Sequence, residues 1–178
     1  MMCIASIISG FSAAHQVDAD MENILVSASL LPITSKRSAN AITIIGSDQI
    51  KNRAVVSVSD LLRDVAGLAV SRSGVQGSQT QIRVRGGEAN HLLVLIDGVE
   101  VNNPSQNDEF NWGNLVASDI ERIEVIRGPQ SSMLGSDAMA GVVNIITRSA
   151  DQLLSTNIFS EIGSFNTQNN GISIGLKD

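Results

Sequence analysis

Residues 120–147 read IERIEVIRGPQSSMLGSDAMAGVVNIIT. From Arg122 to Arg127 apolar and charged residues alternate, with Ile123 and Val125 on one side and Arg122 and Glu124 on the other. This period of two predicts a strand with one face buried. Gly128 and Pro129 break it. Proline suits the first turn of a helix, where its fixed φ is already helical and its missing N–H has no partner to lose, and glycine suits the end. Gln130 to Leu134 therefore predicts a single helical turn closed by Gly135, before a second strand, VVNIIT, ending at Thr147.

Upstream, Gln81 to Gly87 (QIRVRGG) alternates in the same way, and Leu92 to Ile96 (LLVLI) is an unbroken apolar run of the kind buried on both faces of a sheet. That run ends in Asp97-Gly98, a turn pair whose glycine takes positive φ at no steric cost. Ser57 to Gly67 predicts a helix: Ser57 caps it, Asp60 follows in the manner of a capping box, Gly67 closes it, and Leu61, Leu62 and Val65 share the face that packs on the sheet. With Ile42 to Ile45 as a further strand, the pattern is that of a small α+β domain with a mixed sheet.

The order and wording of these blocks resemble the plug domain of TonB-dependent outer-membrane receptors. Such plugs carry an Ile-x-x-Arg-Gly strand, a short polar step (here Glu88 to His91), a Leu-Ile-Asp-Gly strand, and then an Arg-Ile-Glu strand, an Arg-Gly-Pro turn, a glycine-rich bend and a Val-Asn-Ile-Ile-Thr strand. The resemblance covers residues 22–150 and is nearest to cobalamin-type receptors. It implies a plug with a four-stranded mixed sheet and short helices, held inside an outer-membrane barrel of about 22 strands. It implies a Gram-negative outer membrane, with the N-terminus in the periplasm.

The resemblance also assigns the flanks. Residues 1–19 read as an incomplete export signal: an apolar stretch from Cys3 to Phe11 precedes small-residue cleavage patterns, but no lysine or arginine precedes Lys36. A disordered tail is the alternative. Residues 20–34 hold the box and linker. Glu22, Asn23, Ile24, Leu25, Val26, Ser27 and Ala28 resemble the TonB box, which pairs with a TonB-type periplasmic energiser protein by adding a strand to that protein's sheet. The plug spans 35–150. Residues 151–178 begin the barrel, with Ser155 to Ile162 and Gly171 to Leu176 as strands around a polar turn, Asn166 to Asn170. Two strands cannot close a barrel, so the expectation is a fragment whose remaining strands lie beyond Asp178.

Composition narrows the function classes. Net charge is −6 and no basic cluster exceeds Lys36-Arg37, which excludes a phosphate-neutralising nucleic-acid surface. One cysteine, Cys3, makes no disulfide framework, and two histidines, His15 and His91, make no metal site without further ligands. No cofactor is expected, and Asp108-Glu109 lacks the spacing of an EF-hand. Ser131 or Ser132 with His91 and Asp97 supplies the residue types of a hydrolase triad. No G-x-S-x-G elbow accompanies them, and Gly128 to Gly141 has neither a phosphate-loop ending nor a dinucleotide fingerprint, so the chain is not read as an enzyme.

Two polar loops are the candidate ligand surface: Ser71 to Gln79, with Ser73 and Gln76, and Asn102 to Asn114, with Asn103, Gln106, Asn111 and Trp112. Phe110 and Trp112 are the aromatics of the second loop, and two readings stand for Trp112, a platform facing the ligand or a wedge against the barrel wall. By the resemblance, Arg85 and Arg127 contact acidic residues of that wall, and ligand binding above the plug releases the box to the energiser. Cobalamin is the first expected solute and a ferric siderophore the second. The competing class is a stand-alone plug or a non-transporting docking module.

Overall fold

The main sheet is assembled from strands far apart in sequence. The structure is a computed structural model and describes residues 25–26, 33–34, 41–149, 154–164 and 168–176. At its centre β8 (Ile120–Arg127) and β9 (Gly141–Thr147) run antiparallel, from Arg127↔Gly141 to Ile120↔Thr147 with one irregularity beside Ile120. β3 (Ala41–Ile45) pairs antiparallel with the free side of β8. β6 (Leu92–Ile96) lies parallel to β9, and β7 (Val99–Glu100) turns back antiparallel on β6. The order is β3-β8-β9-β6-β7, a mixed sheet of four long strands and a two-residue edge.

Each face of this sheet is covered. On one side Ile123, Val125, Val143 and Ile145 pack with Leu92, Val94 and the helix α2 (Val58–Leu62), joined by Ile82 and Val84. On the other, Leu93, Leu95, Ile126 and Val142 pack with Ala138 and the partly buried Ile42, Ile44 and Leu134. Strand β8 is therefore not half-solvated, as its alternation predicts: Glu124 is fully buried. Its carboxylate accepts from Arg122 Nε at 2.9 Å and from Asn144 Nδ2 at 3.4 Å. Alternating charge reads identically whether a carboxylate meets water or an arginine, and only the second offsets the cost of burying it.

The helix expected over Ser57 to Gly67 is shorter. Ser57 holds the N-cap backbone, but its hydroxyl lies 2.8 Å from Ser59 Oγ, and the Asp60 carboxylate is taken by Arg72 at 2.9 Å. Those partners replace the capping box. Leu61, Leu62 and Val65 are buried as anticipated, and Gly67, at φ +85°, turns the chain into β4 (Leu68–Arg72). A preceding helix, α1 (Ser47–Arg53), was not signalled by periodicity. The single helical turn is present as α3 (Ser131–Leu134), closed by Gly135 at φ +97°.

β4 pairs antiparallel with β5 (Thr80–Val84). Near the start of the chain, β1 (Leu25–Val26) pairs with β2 (Ile33–Thr34); the rest of the expected box, like the export signal, lies outside the described residues. At the other end, β10 (Leu154–Ile162) and β11 (Gln168–Leu176) pair antiparallel over their whole length. Gln168 to Asn170, expected in the turn, already belong to β11. Ile158, Ile162, Ile172 and Ile174 project from one face of this hairpin and are exposed.

Candidate functional site

The two polar loops form one surface. Residues 73–79 close the β4–β5 hairpin, where the Ser73 N–H and hydroxyl both donate to Gln79 O at 3.1 Å. Residues 102–114 fold into two short 3-10 turns, Pro104–Gln106 and Trp112–Asn114. Asn111 Oδ1 accepts from Gly113 N at 3.0 Å and from Thr80 N at 3.4 Å, tying the second loop to the base of the first. Gln81 Nε2 donates to Glu109 Oε2 at 2.5 Å across the same seam. The loops touch at Gly113, where a Cβ would lie 2.2 Å from Ser78 O.

That approach requires glycine. Gly113→Ala must push backbone against backbone, an overpacking that costs about 1–3 kcal/mol. It is expected to lower the melting temperature of the domain and to separate the loops. Hydrogen exchange at Ser78 and Thr80 checks this, and unchanged protection would show that the loops do not depend on each other.

Asn102 roots the second loop. Its Nδ2 donates to Leu92 O at 3.0 Å and Asp108 O at 2.7 Å, while Oδ1 accepts from Val94 N at 2.8 Å. Trp112 anchors it from beneath: the ring is 2% exposed, belongs to the main core, and meets Phe110 edge-on at 4.9 Å and 85°. Neither position anticipated for Trp112 describes this burial within the domain itself. Ser73, Gln76, Asn103 and Gln106 are exposed, as is Val75 at the tip of the first loop, whereas Asn111 is partly buried and engaged in the brace.

Electrostatics around the second loop are acidic. The Glu100 carboxyl is raised above its usual range, first by desolvation and then by Asp137, which also hydrogen-bonds it, and by Asp108. A raised carboxyl favours the folded state most when protonated, so its contribution is present at low pH and fades as pH rises through its folded value. Among the described residues no group of three or more acidic, histidine or cysteine side chains is placed to hold a metal ion.

Arg85 and Arg127 lie together at the opposite end of the β4–β5 hairpin from residues 73–79. A Cβ on Gly67 would touch both stems, at 3.8 and 3.6 Å. Their roles differ. Arg127 is spent inside the domain: Nε donates to Ala41 O at 3.2 Å, Nη2 to Thr43 Oγ1 at 2.7 Å, and Nη1 to Ala66 O. Arg85, at φ +49°, is exposed, and its backbone N–H donates to Gly67 O at 2.9 Å.

Asn102 and Gly113 carry no periodic signal and went unread in the sequence. A glycine beside the one tryptophan was the available hint of close packing.

A family model described as the TonB-dependent receptor plug domain matches residues 34–142. The vitamin B12 transporter BtuB of Vibrio vulnificus (strain CMCP6) is 32% identical over 151 residues, 84% of this chain and 25% of that protein. Among solved structures, the ferric enterobactin receptor PfeA of Pseudomonas aeruginosa (mutant R480A) aligns with a TM-score of 0.56 and 30% identity over 68% of this chain and 19% of its own. The siderophore receptor PirA of Acinetobacter baumannii aligns with a TM-score of 0.57 and 26% identity over 75% and 21%. The chain spans about a quarter of the length of the curated relative it matches. With the family model covering most of the sheet and both polar loops, this chain belongs to the TonB-dependent receptor plug domain family.

Proposed function

We propose that this domain gates energised uptake of a large, scarce solute through an outer-membrane barrel. The observation that carries the reading is the braced pair of polar loops, a preformed surface on which Ser73, Gln76, Asn103 and Gln106 are exposed to a polar ligand. The similarity to a vitamin B12 transporter favours cobalamin, and the likeness to siderophore receptors makes a ferric siderophore the second solute. Trp112 and Asn111 serve that surface by holding it from below. Arg85, exposed and without a side-chain partner among the described residues, is the better placed of the two arginines to meet an acidic group on the barrel wall.

Glu22 to Ala28 serve as the box that adds a strand to a TonB-type energiser in the periplasm, which draws the plug aside once ligand is bound. In a complete receptor built on this plug, Val26→Pro removes a backbone donor and breaks such a ladder. Uptake of labelled cyanocobalamin is expected to vanish while its binding is unchanged. Normal uptake by the variant overturns the box, and binding of a ferric siderophore in place of cyanocobalamin overturns the solute.

A further inference from the structure

Asp97 does more than shape its turn. At φ +50°, followed by Gly98 at +82°, it joins β6 to β7, and asparagine would satisfy that backbone equally well. The carboxylate is used elsewhere. Oδ1 accepts from Thr147 N at 2.9 Å and Oδ2 from Thr147 Oγ1 at 2.6 Å, while the Asp97 N–H donates to Ile145 O at 2.9 Å. The parallel ladder between β6 and β9 ends at Ile96↔Ile145, because β6 turns away there. The Asp97 side chain stands in for the missing strand and carries the ladder on to Thr147.

Thr147 is the last residue of β9, and β10 begins seven residues later, at Leu154. An extended segment of that length reaches roughly 25 Å at most, so the position of Thr147 limits where the hairpin can lie. On its other side Thr147 pairs with Ile120, and Arg148 N donates to Asp119 O at 2.9 Å. The point at which the chain leaves the domain is thus gripped from both neighbours.

The geometry points to Asp97 as a positioning residue that moors the plug to the barrel. This rests on the gating function proposed above. A pull entering at the N-terminus meets β3, an edge strand, while the exit strand β9 lies between β8 and β6 and is clamped at its end by Asp97. The clamp keeps β9 in register, so that displacement occurs on the side where the pull is applied.

The test uses a complete receptor carrying this plug, with Asp97→Asn, Thr147→Val and Thr147→Ser. Asp97→Asn keeps the turn and leaves one acceptor oxygen in place of two, and Thr147→Ser keeps both donors. For the first two variants, exchange at the amides of Ile145 to Arg148 is expected to rise about tenfold, with Ala41 to Ile45 unchanged. Entry of a large antibiotic is expected to rise only in cells with a functional energiser, and Thr147→Ser should behave as the parent. Equal acceleration in β3, no acceleration, or a leak indifferent to the energiser overturns the mooring. Failure of the parent receptor to take up either solute overturns the gate instead, and the exchange data still decide the clamp.

Discussion

Trp112→Ala is expected to destabilise the plug by about 3–5 kcal/mol, the usual cost of emptying a large aromatic site in a packed core. The ring is 2% exposed, and its edge-on contact with Phe110 is lost with it. Against a typical domain stability of about 5–15 kcal/mol, that is a large share. Denaturant unfolding of the domain and ligand titration on the same sample separate two roles. The burial predicts a lower midpoint and an affinity little changed in the protein that remains folded. An unchanged midpoint with tenfold weaker binding, about 1.4 kcal/mol, would restore the ring as a ligand platform.

Arg122→Ala should be the next most damaging change. Its Nε donates to Glu124 at 2.9 Å, and while the Glu124 side chain is fully buried, that of Arg122 is 26% exposed. Removing one member of a fully buried pair costs about 3–5 kcal/mol, and the partial exposure of Arg122 lowers the expectation to about 2–3 kcal/mol. The double substitution Arg122→Met with Glu124→Leu should recover part of the loss, because an apolar pair strands no charge while the buried Asn144 amide loses its Glu124 acceptor. Thermal unfolding of the single and double variants checks this, and a single variant as stable as the parent would place the compensation for Glu124 elsewhere.

Strands β3, β5, β6, β8 and β9 were legible because each is marked by alternation or by an apolar run, and the turns because Asp97-Gly98 and Gly135 need unusual backbone angles; β4, whose last residues Ser71 and Arg72 were read into the polar loop, and the two-residue β7 were not. Burial at Glu124 was not, since a period of two assigns a face without saying what covers it. The missing capping box of α2 depends on Arg72, twelve residues away from Asp60, and local propensity has no access to that partner. In the candidate site the polar loops stood out by composition, yet their union rests on one glycine against one carbonyl and on a few amides. Trp112 lies deeper than its polar neighbours suggest. An aromatic in a polar stretch suggests a ligand when the stretch is imagined as standing off the domain, and here it folds back beneath its own loop.

The order of strands bears on how the domain comes into being. Arg127 reaches Ala41 across 86 residues of sequence, and the two central strands, β8 and β9, are the last of the sheet to be made. Closing so long a loop is entropically unfavourable until both partners exist, and contacts of this range slow folding. β3 and β6 therefore wait without their central neighbours until residues 120–147 have emerged. The sheet therefore closes only when its last two strands are present. Until then the unpaired edges of β3 and β6 are open to pairing with other chains.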